Sequence, residues 1–447
     1  MKQLPRIITA LLLPAAMGSP LTGYAEDLAE IYQLALRNDP VLNSQKSALM
    51  VSSEAREQAD ALYRPNISFN ASSTRSQDRT ISSNSIFTPP GTTYHYTTKT
   101  YALTLRQPLY RKDYMSQENQ AAAAEQKADA ELKQAFQDLI LRVSTSYFNV
   151  LSAEDNVTFA QAEKNAISRQ LDQAKQRFEV GLIAITDVHE AQAAYDQAVA
   201  SEIAAQNTLA TNRQILRELT GTLPEQIKPL GSQMQLAAPD PADVSAWIKT
   251  AQASNYLLVA AQAAVEIANQ NLASQRAIRQ PAIDLVASHS YNDIGGGSFG
   301  GREVASDSIS VQLNVPLYQG GGISAAIRGA NAKLDQARDA QEQQRRAVQR
   351  DTSDAYLGVL TGISRVQALQ QAVTSSESAL KATEAGYDVG TRTTVDVLNA
   401  RRALFGTQRD LARARYDYIL ARLRLQQTTA TLDEEEIRQV NSWLATR

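Results

Sequence analysis

The sequence predicts an α+β membrane protein: a small β-sheet set into a bundle of very long helices, with the whole pattern written twice along one chain. Three observations predict it. Two helical hairpin tips repeat: Arg177-Phe178-Glu179-Val180-Gly181-Leu182-Ile183-Ala184-Ile185-Thr186-Asp187-Val188 is echoed by Gly386-Tyr387-Asp388-Val389-Gly390-Thr391-Arg392-Thr393-Thr394-Val395-Asp396-Val397-Leu398. Gly181/Gly390 and Asp187/Asp396 are both separated by 209 positions. Four short segments alternate apolar and polar residues with period two, as half-buried strands do. The stretches between them run for more than sixty residues with helical composition, too long for a compact globule.

Met1 to Ala25 opens with Lys2 and Arg6, continues through a short apolar stretch and ends in Gly23-Tyr24-Ala25. That is the pattern of a secretory signal peptide, too short to span a bilayer. The mature chain would carry 42 basic and 47 acidic side chains after losing Lys2 and Arg6. No basic patch stands out, so a nucleic-acid partner is not expected. Cysteine is absent, which excludes both disulfides and an N-terminal lipid-bearing cysteine.

The first repeat is placed at 26–219. Asp27 to Leu62 reads as helix, broken at Asn38-Asp39-Pro40 and stopped by Arg64-Pro65, because proline disfavours helix in the residue before it. A strand follows at 66–76, where Ile67, Phe69 and Ala71 alternate with polar neighbours. A Ser/Thr-rich tip leads to a second strand at 99–107, carried by Tyr101, Leu103 and Leu105 and closed by Pro108. Asp113 to Glu179 contains neither proline nor glycine; its 67 residues would extend roughly 100 Å as a helix. The chain then turns at a tip near 181–186.

A segment at 220–243, rich in Pro, Gly and Leu, joins the repeats, and the second repeat occupies 244–427. Its strands are expected at 282–292 and 307–315, between Pro281 and Pro316, with a Gly-rich tip. Pro316-Leu317-Tyr318 repeats Pro108-Leu109-Tyr110. The second hairpin tip lies near 390–394. The returning helix carries Val397, Leu404, Leu411, Tyr418 and Leu425 at every seventh position, with Ala400, Thr407, Ala414 and Ala421 in the second seam, a coiled-coil pattern with close approach. In the first hairpin Val188, Tyr195, Leu209 and Leu216 echo it, and Glu202 interrupts it. The C-terminal 428–447 is expected to form, with 220–243, a small side domain.

Strands of about ten residues with one apolar face suit an outer-membrane barrel, yet four strands cannot close one. Oligomerisation is therefore required by the backbone, because only helices and closed barrels satisfy their hydrogen bonds in lipid.

On the duplicated helix, strand, strand, helix order, the two Pro-Leu-Tyr junctions and the two tip segments, the chain resembles the TolC family of outer-membrane channel tunnels over essentially its whole mature length. The resemblance implies a homotrimer whose twelve strands form one barrel in outer-membrane lipid of a Gram-negative bacterium, continued by an α-helical tunnel across the periplasm. It further implies a periplasmic adaptor (membrane fusion) protein and an inner-membrane ABC, RND or MFS transporter as partners, exporting proteins or small toxic compounds. No cofactor is implied. Matching motif to motif, the periplasmic gate would be formed by Thr186 and Asp187 with Tyr387 and Arg392, and secondary links by Gln170, Glu384 and Arg415. Asp396 would line the constriction; the family's second aspartate, one turn later, is Asn399 here.

Without the resemblance, Asp187 and Asp396 are explained as first-turn acids that complement a helix dipole. An enzyme is disfavoured: His95, His189 and His289 fall on unrelated elements, Asp187-Val188-His189-Glu190 does not complete a metal ligand set, and Gly295-Gly296-Gly297 and Gly320-Gly321-Gly322 fit no phosphate loop. A periplasmic coiled-coil scaffold or adaptor without a pore would account for the heptads but not for the strands.

Overall fold

The computed structural model describes residues 26–445 apart from 85, 87–88, 223, 225, 232–233 and 298–299. The expected signal peptide lies outside the described residues. The chain runs α1 (Leu28–Asn38), α2 (Pro40–Ala61), β1 (Asn66–Arg79), β2 (Thr93–Tyr110), α3 (Lys112–Glu179), α4 (Ile185–Thr220), α5 (Val244–Ser254), α6 (Tyr256–Ala277), β3 (Ala282–Ile294), β4 (Arg302–Asn314), α7 (Gly322–Asp388), α8 (Thr394–Thr428) and α9 (Glu434–Asn441). The order from α1 to α4 recurs from α5 to α8. No described helix is long and apolar enough to cross a membrane.

Each repeat opens with two short helices joined by a capping residue. Asp39 accepts the N–H of Leu42 at 2.9 Å to start α2, and Asn255 accepts those of Leu257 and Leu258 to start α6. Pro40 reinforces the first break, since its ring is preorganised for the first helical turn and it lacks an N–H to satisfy. Both breaks are tied to the far end of the same repeat. Asn38 donates to Thr220 O at 2.6 Å, and Asn255 donates to Thr428 O at 2.9 Å, so the first and last helices of each repeat finish together.

The strands form one antiparallel sheet in the order β1-β2-β3-β4, with β1 and β4 as free edges. Register fixes the two faces. Ile67, Leu105, Ala287 and Ile309 share one cross-strand row, followed by Phe69, Leu103, His289 and Asp307, then Ala71, Tyr101, Tyr291 and Ala305. On the opposite face Ser68, Thr104, Ser288 and Ser308 line up. The apolar face is bare in a single chain, with Phe69 66% and Ile309 81% exposed. A band of that size on one face needs a covering phase.

All four strands differ from their expected ends. β1 runs to Arg79, β2 occupies 93–110, β3 runs to Ile294, and β4 spans 302–314. The ladder continues through Ser, Thr and Arg because its backbone bonds do not depend on apolar side chains. Pro108 does not end β2 as expected; it sits opposite Asp284, and the register shifts between Pro108 and Tyr110. An irregularity there absorbs the missing N–H.

The main core lies where the helices meet, far from both hairpin tips. Tyr147, Phe148, Leu139 and Val143 of α3 are buried with Leu28 and Ile31 of α1, Leu216 of α4, Val359 of α7 and Tyr418, Ile419 and Leu423 of α8. The 220–243 segment and the C-terminal tail join here. Gly231 N–H donates to Trp443 O and Ala445 N–H to Pro229 O, both at 2.8 Å. Ile437, Val440, Trp443 and Leu444 are buried in the same cluster, so these two pieces share the main core instead of having one of their own. Tyr147 donates to Lys228 O at 2.7 Å, and Tyr416 to Asp155 at 2.6 Å while stacking on Phe148. Burial pushes the Asp155 carboxyl up, against the opposing effect of that bond.

Of the α8 heptad seam, Val397, Leu404, Ala414, Tyr418 and Leu425 are buried, whereas Ala400, Thr407, Leu411 and Ala421 are only half-buried. Glu202, the break in the α4 seam, is buried too, and it is satisfied by Lys164 of α3 at 2.6 Å.

Candidate functional site

The hairpin tips are built from glycines with positive φ. Gly181 (φ 77°) follows α3 and Gly390 (φ 80°) follows α7, a conformation that side chains disfavour. Both returning helices begin with an acid in the third position. Asp396 accepts the Thr393 N–H at 2.9 Å while Thr393 Oγ1 accepts the Asp396 N–H at 3.2 Å, a reciprocal cap. These bonds from Thr393, with the Arg392 charge adding to them, hold the Asp396 carboxyl below the usual carboxylate range. Asp187 accepts from Ala184 N at 3.3 Å, and Ala184 has no side-chain oxygen to return the bond.

Tyr387 is turned inward, 9% exposed, and its hydroxyl accepts from Thr394 Oγ1 at 3.4 Å. Arg177, at the end of α3, lies 4.6 Å over the Tyr387 ring and 3.4 Å from Asp388. Arg177 therefore ties the first hairpin to the second within one chain. Arg392 is exposed, and its stem crosses Gly386 so closely that a Cβ there would stand 2.8 Å from Arg392 Cγ. Thr186 is exposed. Among the described residues no intrachain hydrogen bond joins Thr186 or Asp187 to Tyr387 or Arg392; the two sets stand on separate tips, with Arg177 beside Tyr387.

The secondary set is divided. Gln170 is 3% exposed, with its Nε2 lacking a protein partner. Glu384 is bound by Arg401, at 2.7 Å. Arg415 lies fourteen residues further along α8 than Arg401, about 21 Å away, and donates to Gly231 O beside the main core. Within the chain, the structure does not bring Arg415 to Gln170 or Glu384. Arg177 and Arg401 were not singled out by sequence. Arg177 stood inside the repeated tip segment, which marked the tip but not the partner, and Arg401 sits between seam positions where the heptad carries no signal. Asn399 is exposed, one turn after Asp396.

Packing near the tips is thin. Leu171, Ala174 and Ala191 form one small buried group, and Ile167, Ala194, Ala198 and Leu398 another. The second group places Leu398 of the second hairpin between α3 and α4 of the first. Such small contacts let the hairpins shift against each other without disturbing the main core.

The model of the outer membrane efflux protein family matches this chain twice, over residues 31–222 and 247–431, one match for each structural repeat. The chain belongs to the outer membrane efflux protein family. It is 36% identical to the outer membrane protein TolC of Vibrio cholerae over 97% of this chain and 98% of that one. It is 29% identical to the alkaline protease secretion protein AprF of Pseudomonas aeruginosa over 93% of this chain and 87% of that one. In structure it is similar to the CmeC outer membrane channel of Campylobacter jejuni, with a TM-score of 0.79 at 14% identity, covering 94% of this chain and 90% of that one. Efflux proteins of this fold are trimeric, so the four-stranded sheet is one third of a twelve-stranded barrel. The bare apolar face is then the lipid-facing belt. This efflux protein is accordingly an outer-membrane export channel of a Gram-negative bacterium.

Proposed function

We propose that the protein is the exit duct of a tripartite export machine, carrying proteins or small toxic compounds from an inner-membrane transporter across periplasm and outer membrane. An adaptor would open it at the hairpin tips, and the chain itself would perform no catalysis. The observation that carries this reading is the geometry of α3. Its 68 residues extend roughly 100 Å from the membrane-type sheet to a tip held by small contacts. The relatives' names agree in kind: one is a protease secretion protein, and another, BepC of Brucella suis, an outer membrane efflux protein. In this reading 26–219 and 244–427 are the two duct-forming repeats, and 220–243 with 428–447 form the belt around the helical joint.

The gate reading assigns Thr186 and Asp187 of the first hairpin to meet Tyr387 and Arg392 of the second as polar links between neighbouring coiled coils, with the secondary residues Gln170, Glu384 and Arg415 behind them. Charge-assisted bonds of this kind are directional yet individually weak when exposed, about 0–1 kcal/mol each, so a partner can release them one at a time. The test is fractionation followed by crosslinking from cysteines placed at Leu182 and Val389, which are 72% and 75% exposed. The expected outcome is an outer-membrane oligomer that dissociates only on heating and captures a periplasmic adaptor. A soluble, pore-free monomer would overturn the reading in favour of a scaffold.

Asn399 sets the selectivity of the constriction. With Asp396 as its acid, each trimer lacks three carboxylates that a second aspartate would supply. Asn399→Asp is expected to strengthen cation preference and tighten block by trivalent cations in planar bilayers. Equal block in the two proteins would remove Asn399 from the constriction.

A further inference from the structure

The two strand hairpins are copies in register as well as in order. Pro65 and Pro281 are separated by 216 positions, and Pro108 and Pro316 by 208. Ile67 faces Leu105 in the first hairpin; Ile283, 216 positions after Ile67, faces Leu313, 208 positions after Leu105, in the second. The joint of β2 with β3 inside the chain is therefore a template for the joint of β4 with β1 of the next copy. In that template Lys99 faces Asp293 and donates to it at 3.2 Å, and Tyr101 faces Tyr291.

The lipid-facing side is divided by charge. On that side the first hairpin carries Arg75, Arg79 and Lys99 and no acid, and the second carries Asp293, Glu303 and Asp307 and neither lysine nor arginine. Lys99 and Asp293 satisfy each other within the chain, which leaves the remaining charges on the free edge strands. Arg75 and Arg79 of β1 are exposed and, among the described residues, have no ion-pair partner. Asp307 of β4 meets His289 Nδ1 at 2.6 Å through one carboxylate oxygen, and its side chain remains 83% exposed.

Carried over to the next copy, the template puts Asp307 in the place of Lys99. It then stands opposite the partner subunit's Gln77, flanked two residues either way by the partner subunit's Arg75 and the partner subunit's Arg79. Such diagonal neighbours are about 7–8 Å apart, within reach of a long side chain. Other pairings of these edges bring like charges together. β2 against β1 of a second copy would set Lys99 between the partner subunit's Arg75 and the partner subunit's Arg79, and β4 against β3 of a second copy would set Asp307 opposite the partner subunit's Asp293. Like charges across a ladder are destabilising.

We propose that Asp307 forms an ion cluster with the partner subunit's Arg75 and the partner subunit's Arg79, and that this cluster selects β1 of a second copy as the strand that covers the β4 edge. A bare edge pairs through its backbone, which is the same in every strand; the side-chain charges distinguish the right neighbour from the wrong one. The inference rests on the trimeric barrel and is independent of the gate at the helical tips.

The heat-dissociation temperature of intact purified trimers tests it, with Asp307→Arg, the Arg75→Asp, Arg79→Asp double variant, and a triple variant carrying all three changes. Each one-sided change puts three repelling joints into a trimer and is expected to lower the dissociation temperature by about 5 °C or more. The triple variant, in which every joint is complementary again, should regain most of that loss. A triple variant no more stable than its weaker parent overturns the cluster, and so does either one-sided variant that dissociates with wild type. Should a one-sided variant form no trimers, the triple variant decides alone: heat-dissociable trimers support the cluster, and their absence overturns it.

Discussion

A Tyr387→Phe, Arg392→Ser double variant is expected to conduct severalfold more than wild type in a planar bilayer while its trimer dissociates at the same temperature. The substitutions remove a phenolic hydroxyl and a guanidinium and leave the packing nearly intact. Phenylalanine keeps the ring beneath Arg177, whose guanidinium lies 4.6 Å above it. Loss of the Thr394-to-Tyr387 bond, at 3.4 Å, matters little to the fold because Thr393 and Asp396 cap α8 independently. On the gate reading, what disappears is the pair of polar groups through which the second hairpin would meet Thr186 and Asp187. Exposed ion pairs contribute about 0–1 kcal/mol each, but a trimer repeats every loss three times. A total near 1–3 kcal/mol shifts a closed-to-open ratio by roughly 5–150-fold. Unchanged conductance in a folded trimer would keep the duct and discard these two residues as its gate.

The second large effect concerns stability. Asp39 is 1% exposed, accepts the Leu42 N–H, and receives both Arg142 donors, at 3.1 and 2.7 Å. Burial alone would raise its carboxyl; the Arg142 bonds and charge and the Leu42 N–H outweigh burial and lower it. Asp39→Asn keeps the helix cap and leaves Arg142 facing a neutral amide. The expected loss is about 2–3 kcal/mol, below the usual cost of breaking a fully buried pair because the Arg142 side chain is 34% exposed. The sign with pH follows from the lowered carboxyl. Its stabilisation is complete above the ordinary aspartate range, near pH 4, and is lost as pH falls through the folded-state value. Thermal midpoints followed by helical circular dichroism should therefore differ between wild type and variant at pH 7 and converge on acidification. Identical midpoints at pH 7 would show that the pair contributes nothing net.

Much of the fold was legible because local chemistry and tertiary structure agree. Pro65, Pro281 and Pro316 stand where helix and strand exchange, and the Asn38-Asp39-Pro40 break carries its own cap. The seam positions Val397, Leu404, Tyr418 and Leu425 turned inward because one helix face can be buried only against another helix. Pro108 misled, since a strand irregularity tolerates a proline that a regular ladder would not. The candidate site was legible in its tips, where glycine and first-turn acids mark the turn by local rules. It was not legible in its cross-links. Whether Glu384 meets Arg401 or Arg415 depends on the relative heights of α7 and α8 along their seam, and several arginines on α8 offer the same charge. Arg177 shows the same limit: its partners, Tyr387 and Asp388, lie more than two hundred residues away in the chain.

The unpaired edges of β1 and β4 carry a genetic consequence. In lipid every free backbone donor and acceptor is costly, so a single chain has no stable resting place in the membrane and must find two others first. Subunits from different alleles will therefore be sampled together before any of them is committed. Where a defective and a normal allele are expressed equally and mix freely, about one trimer in eight is built wholly from normal chains. A substitution that leaves assembly intact but fixes one hairpin open will thus act as a dominant trait, leaking through channels whose other two chains are sound. A substitution that prevents edge pairing removes its chain from the pool and behaves as recessive.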